Sequence, residues 1–202
     1  MKRTQQFQKE LHENVLSYAI GQFRRHGVRA VKVDDIANSL GMSKRTLYQM
    51  FGDKEGLLVE SIKRDTELRQ QRHEQIFQKA ANPLEAYVSI YRLRMEDMRN
   101  LNPNFIQEIY KYERVREYME QQRHNHADKA RQFAHECVRQ GLMRDDINYE
   151  LLSRMNDVIA DQVIKGNMLA RYTYEEVFRT LDLPHLRGLC TRRGLEILEQ
   201  LD

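Results

Sequence analysis

Proline is scarce in this chain of 202 residues, with three occurrences, and glycine is found only nine times. No stretch rich in Val, Ile and Thr alternates for long. These absences exclude a strand-built or loop-dominated fold and favour helix nearly throughout, an all-α chain. No apolar run approaches the length of a bilayer span, so no membrane partner is expected. The opening Met-Lys-Arg-Thr-Gln-Gln-Phe carries charge without an apolar core behind it. It does not read as a signal peptide, and a cytoplasmic protein is expected. The two cysteines, Cys137 and Cys190, sit far apart in helical patterns. In a reducing compartment they are expected to be buried thiols.

The patterns of familiar catalytic and metal sites are missing as well. There is no Cys-x-x-Cys, no His-Glu-x-x-His, no Gly-rich phosphate loop and no nucleophile elbow. His124 and His126 are two apart, so on a helix they point away from each other; His135 and Cys137 share that defect. No cofactor and no metal ion are expected, and no enzyme. The alternative from another class is an all-helical enzyme or a metal-responsive protein, which turnover or bound metal in the purified protein would favour.

A large excess of one charge is also absent: 33 Lys and Arg against 30 Asp and Glu give a net charge of +3. That excess is placed unevenly. Residues 1–60 hold ten Lys and Arg against seven Asp and Glu, so the whole +3 lies there and the remainder is neutral. A basic face on one segment suits phosphate binding. Hydrophobic content of 41% and charged content of 31% fit a folded soluble chain.

What the chain does have is helical periodicity with clear punctuation. Phe7, Leu11, Val15, Ala19 and Phe23 make a stripe over a first helix at 5–26, which Gly27 stops. A fourth helix, 54–79, is capped by Asp53 and has a middle, Lys63 to Glu74, that is polar nearly all round. Asn82-Pro83 with Glu85 and Asn102-Pro103 read as caps with a following proline. Further helices are predicted at 83–100, 103–122, 124–140, 148–171, 174–181 and 184–201, with Gly141 ending the third of these and Thr173 to Glu176 as a capping box.

Between the first and fourth helices lies the most informative stretch, a helix-turn-helix at about 32–51. Ile36, Ala37 and Leu40 give a short helix an apolar face, Gly41 turns the chain, and Ser43 caps the next helix. That second helix buries Leu47 and shows Lys44, Arg45, Thr46, Tyr48 and Gln49. Two helices on a tight glycine turn, the second rich in groove-reading side chains, is how a helix-turn-helix reads DNA. Arg45 is the base-reading candidate, its fork matching O6 and N7 of guanine. Thr46 can donate to a base edge or pack on a thymine methyl. Gln49 can pair with adenine or reach only the backbone. Ser43 is expected to cap and touch phosphate.

The run Asp35-Ile36-Ala37, Leu40-Gly41-Met42-Ser43-Lys44, Thr46-Leu47-Tyr48, Phe51, Lys54-Glu55 and Leu57-Leu58 resembles the DNA-binding domain of the TetR family of transcriptional regulators. The resemblance implies a three-helix reading domain over 1–58 and a larger helical ligand-binding and dimerisation domain over 59–202. It also implies a homodimer on double-stranded DNA and an unidentified small-molecule effector. By the same resemblance Tyr48 and Lys54 are phosphate contacts. Lys32 stands where similar sequences place Ser or Thr; it can reach a phosphate but cannot accept from a backbone amide.

In the larger domain, Tyr87, Tyr91, Met95 and Met98 share a helical face. Phe105, Ile109, Tyr112 and Met119 follow on the next helix, then Phe133 and Cys137. Met and Tyr faces suit an adaptable, mostly apolar effector pocket. Met155, Ile159 and Val163 on one long helix, and Leu186, Cys190, Gly194, Ile197 and Leu201 on the last, are the expected dimer interface, with Gly194 allowing close approach of a partner helix. By resemblance, such a pair meets its mate in a four-helix bundle. The expected activity is that of a homodimeric repressor released from a pseudo-palindromic operator by its effector, with activation left open because the sign depends on operator position.

Overall fold

In the computed structural model, residues 2–166 and 168–199 are described, with the side chains of 2–4, 123–127 and 164–165 left aside. Among the described residues there is no strand, only an isolated antiparallel bridge between Met143 and Cys190. The chain forms α1 (Lys2–His26), α2 (Val33–Ser39), α3 (Lys44–Phe51), α4 (Lys54–Lys79), α5 (Pro83–Met98), α6 (Phe105–Ile109), α7 (Glu113–Arg139), α8 (Tyr149–Lys165), α9 (Tyr174–Val177), α10 (Leu183–Leu189) and α11 (Arg192–Leu198). No helix among the described residues is long and apolar enough to cross a membrane. Packing divides the chain into two units, Met1–Gln71 with Asn100–Met119, and Arg72–Arg99 with Glu120–Asp202. Residues 58 and 59 lie inside α4.

The first unit is built on the α1 stripe. Val15, Ala19 and Phe23 are fully buried, and Ile36, Leu47, Phe51, Leu57 and Leu58 close over them. The amino-terminal end of the stripe is not used: Phe7 is 65% exposed. The polar middle of α4 spends its charges on neighbours in the same unit. Asp65 pairs with Arg24 at 3.2 Å, Arg64 pairs with Glu13, and the Lys63 ammonium lies 5.6 Å from the Tyr118 ring centroid. The segment 100–119 completes this core, burying Phe105, Ile109 and Val115. Backbone bonds hold it there: Asn102 N–H donates to the Arg24 carbonyl at 2.7 Å, and Arg29 N–H to Glu108 Oε2 at 2.9 Å.

In the second unit Leu84, Val88, Cys137, Leu142, Phe178 and Leu198 form the core. The expected caps are in place. Glu85 N–H donates to Asn82 Oδ1 at 2.9 Å, and Thr173 with Glu176 makes a two-way capping box. From Tyr174 the helix runs through a π-turn at Phe178–Asp182 into α10. The wider turn precedes Pro184, whose ring cannot donate to an ordinary helical carbonyl.

Several boundaries differ from expectation, each for a local reason. A helix expected from 103 starts at Phe105, because Asn102 Oδ1 accepts from Asn104 N–H and turns the chain. The predicted break near 123 is absent; the break falls at Tyr110–Tyr112, which lets both Ile109 and Val115 reach the core. The helix expected over 148–171 ends at Lys165. The last helix is split at Cys190, whose extended backbone bridges Met143, and Thr191 caps α11 by accepting from Gly194 N–H.

Gly56 fixes the joint between α3 and α4, since a Cβ there would lie 2.0 Å from the Phe51 carbonyl oxygen. In the same core the Ser61 hydroxyl is buried without a hydrogen-bond partner among the described residues. Two opposite effects are therefore expected in urea unfolding. Gly56→Ala should lose about 1–3 kcal/mol through overpacking, whereas Ser61→Ala should be neutral or gain up to about 1 kcal/mol. A tolerated Gly56→Ala would mean that the joint is not tight.

Candidate nucleic-acid interface

The reading helix α3 is placed by its two ends. At its start, Ser43 Oγ accepts from Thr46 N–H at 3.0 Å and lies 2.8 Å from Thr46 Oγ1. Ser43 is thus a true N-cap, and Thr46 is turned back onto it. The preceding turn uses Gly41 at φ 64°, where a side chain would be strained. At its end, Gly52 adopts φ 77° and Asp53 caps α4, accepting from Gly56 N–H at 2.6 Å. Leu47 and Phe51, one turn apart, pin the inner face. This leaves Lys44, Arg45, Tyr48 and Gln49 exposed on the outer face, with Thr46 half-buried. No acidic residue lies on α3.

The charges on this face differ in how free they are. Lys44 Nζ pairs with Asp34 at 2.8 Å and lies 5.8 Å from the Tyr48 ring centroid. The hydrogen bond to Asp34 holds its ammonium above the usual lysine range. Arg45 has no such tether among the described residues. Lys32 is exposed at the N-cap of α2 and, as its chemistry requires, makes no side-chain cap. Asp34 and Asp35 in the first turn of α2 suit the positive end of that helix.

Lys54 is more entangled than its sequence position suggests. Its Nζ donates to the Val31 carbonyl at 2.6 Å, tying the start of α4 to the residue ahead of the α2 N-cap. Burial pulls this ammonium below the usual lysine range, with Glu108 acting in the opposite direction. One of its three donors is spent on the fold, and two are left for a phosphate. The signal missed in the sequence is that Val31, just ahead of the α2 cap, ends with its carbonyl turned to this ammonium.

The residues expected to line an effector pocket fall into two groups. Tyr87, Tyr91, Met95, Phe133 and Cys137 come together in the second unit. Phe105 and Ile109 are core residues of the first unit, and Tyr112 and Met119 pack against that core. Met98 is half-buried at the end of α5. Cys137 and Cys190 are both buried, and burial pushes their thiols up to about 12 and about 11. Among the described residues no group of three or more His, Cys, Asp and Glu side chains converges as metal ligands would.

The residues expected at a dimer interface also divide. Leu186, Cys190 and Gly194 are buried in the second unit's own core. Gly194 does allow a close approach, but to the same chain: a Cβ there would sit 2.1 Å from the Leu142 carbonyl oxygen. Ile197 packs against that core, half-buried. Leu201 lies outside the described residues. Met155 and Ile159, by contrast, are 52% and 39% exposed, with Leu151 and Val158 open beside them and Val163 half-buried.

Arg45 on α3 and Lys54 on α4 differ in how they are attached, and different effects are expected of removing each. Arg45→Ala should relax sequence preference with little change in stability, about 1–3 kcal/mol of base discrimination being lost at one position. Lys54→Ala should weaken binding to every sequence, flatten its salt dependence and also lower unfolding stability by about 1 kcal/mol through the lost bond to Val31. Titrations of matched and mismatched duplexes at several salt concentrations check both. Equal loss of specificity from the two variants would undo this division.

Comparison with known proteins agrees with this geometry. Residues 15–60 match the sequence profile described as bacterial regulatory proteins, tetR family. The chain is 24% identical over 147 residues to the HTH-type transcriptional repressor KstR2 of Mycobacterium tuberculosis, covering 69% of this chain and 72% of that protein. The solved structure of that ketosteroid transcriptional regulator superposes with a TM-score of 0.57 at 21% identity, covering 90% of this chain and 95% of the other. A TetR transcriptional regulator from Chloroflexus aurantiacus superposes with a TM-score of 0.62 at 19% identity, covering 85% and 87%.

Proposed function

Because this chain belongs to the TetR family of bacterial transcriptional regulators, we propose that it is a homodimeric repressor that leaves a pseudo-palindromic operator when a small molecule binds its second unit. The observation that carries the DNA-binding part is the capped α3, which is buried through Leu47 and Phe51 and presents Lys44, Arg45, Tyr48 and Gln49 outward. A helix entering the major groove reads bases with its first turn, where Arg45 stands. Ser43 and Thr46 serve each other first; Lys32, Tyr48 and the two remaining donors of Lys54 serve phosphates.

One such domain covers few phosphates, so two are needed for useful affinity. The exposed strip Leu151, Met155, Val158 and Ile159 lies at helical spacing on α8. A second copy of the chain, related by a twofold axis, would cover it with the same strip. Repression follows the relative named as a repressor. The effector site is the Tyr87, Tyr91, Met95, Phe133 and Cys137 group. An effector that favours one spacing of the two reading helices shifts the dimer away from the DNA-bound form. If DNA affinity were unchanged under every small molecule that binds the second unit, this switch would fail.

Selection of bound sequences from a random duplex pool, at physiological salt, tests the DNA-binding reading. An enriched inverted repeat is expected, and no enrichment counts against it. The double variant Met155→Asp with Ile159→Asp places carboxylates on the α8 strip. By light scattering it should be a monomer, and its affinity for the selected duplex should drop about 100-fold or more. A variant that stays dimeric and binds normally would remove α8 from the interface.

A further inference from the structure

Asp34 stands in the first turn of α2, and Lys44 is the first residue of α3. The Lys44 ammonium lies 2.8 Å from Asp34 Oδ1 and 2.9 Å from Oδ2, so both carboxylate oxygens engage it. The Tyr48 ring, with its centroid 5.8 Å away, gives the ammonium a second neighbour. Both side chains nevertheless remain about half open, at 55% for Lys44 and 50% for Asp34. An exposed pair of this kind contributes little to stability. The Ser43 cap and the buried Leu47 and Phe51 already hold α3. The pair is therefore more than the fold requires.

Its place gives it a different use. In a helix-turn-helix the first turn of the second helix meets base edges. Lys44 opens that turn and brings the Asp34 carboxylate with it. A carboxylate at this place faces a polyanion and is repelled by any duplex on which it finds no donor. In the major groove the donors are the amino groups of cytosine and adenine. A G·C pair offers N7 and O6 of guanine as acceptors and then N4 of cytosine as donor. An A·T pair alternates acceptor, donor, acceptor. An ammonium has three N–H groups and a carboxylate has more than one lone pair on its oxygens. With one N–H shared between the two Asp34 oxygens, two remain for N7 and O6, and the carboxylate can still accept from N4.

Deepening the DNA-binding reading above, on which it rests, we propose that Asp34 and Lys44 act as one unit that reads a single G·C base pair. Lys44 donates to the guanine edge and Asp34 accepts from the cytosine amino group. The ion pair stays intact in the complex, so neither charge loses its partner. On a mismatched duplex the carboxylate meets an acceptor or a methyl group instead, and binding is penalised. Asp34 is thus a specificity-determining residue, although it lies outside the reading helix.

The test follows the duplex selection described above. The full-length protein is titrated with the selected duplex, with each alternative base pair in its half-site, and with an unrelated duplex. D34A should lower the preference for G·C at one position about tenfold or more. That position should differ from the one that R45A relaxes, and affinity for the unrelated duplex should not fall. K44M should relax the same position, and the double variant D34A/K44M should relax it no further than either alone. A duplex with 2-pyrimidinone in place of that cytosine lacks the N4 amino group. It should bind the unaltered protein more weakly and leave D34A indifferent. Should D34A fail to fold, D34N carries the comparison; its amide also pairs with adenine, so it should accept A·T at that position. Three results overturn the assignment: D34A raises affinity for every duplex alike, as a charge that only repels phosphate would; D34A weakens every duplex alike, as a lost brace between α2 and α3 would; or no G·C preference exists beyond the Arg45 position. Each of these leaves the DNA-binding reading standing. A pool without an enriched repeat removes that reading, and this role of the pair with it.

Discussion

The aim of the reading helix depends on one tight joint. After α3 the chain must turn and start α4 within two residues, and it does so by bringing Gly56 against the Phe51 carbonyl at a distance no Cβ would permit. Asp53 closes the new helix by taking the Gly56 amide, and Lys54 reaches back to the Val31 carbonyl in front of α2. One close backbone approach and two short hydrogen bonds thus link the loop before α2, the end of α3 and the start of α4. The apolar core beneath them, with Leu47, Phe51, Leu57 and Leu58 buried, supplies the larger share of the energy. The joint supplies direction, which burial alone cannot.

On the outward side, the same economy of contacts decides which charges are ready for a polyanion. Lys44 is held by Asp34, so a phosphate would have to displace a carboxylate, an exchange of one exposed ion pair for another. Arg45 carries no such attachment among the described residues and can meet a base edge without first losing a partner. Neighbouring cations on one helix turn thus differ in what they give up on binding. This contrast bears on specificity more than on net charge, which is small for a nucleic-acid partner.

Much of the fold was legible because local chemistry marks helix ends. Ser43, Asn82 and Thr173 cap where their side chains foretell it, and Gly27, Gly41 and Gly141 take the positive φ that stops a helix. The helix-turn-helix was legible for the same reason, since its signals lie within one short segment. What the sequence did not announce were pairings between distant segments. Nothing near Phe105 or Ile109 says that they fill the core under α1 and α3; a Tyr- and Met-rich helix face looks the same whether it lines a pocket or a packed core. The last helix misled in a related way. Leu186, Cys190 and Gly194 keep helical spacing, but Thr191 was a cap signal inside the run, and the bridge of Cys190 to Met143 is a long-range bond that no periodicity reports.

The open strip of α8 has a consequence for quantity as well as for shape. In the dimer proposed above, with another copy covering Leu151, Met155, Val158 and Ile159, the competent form would be a product of mass action. Well below the dissociation constant of the pair, the dimer concentration, and with it operator occupancy, rises with the square of chain concentration. Halving the supply of chain would then leave about a quarter of the pairs, so modest changes in synthesis or dilution at cell division become larger changes in occupancy.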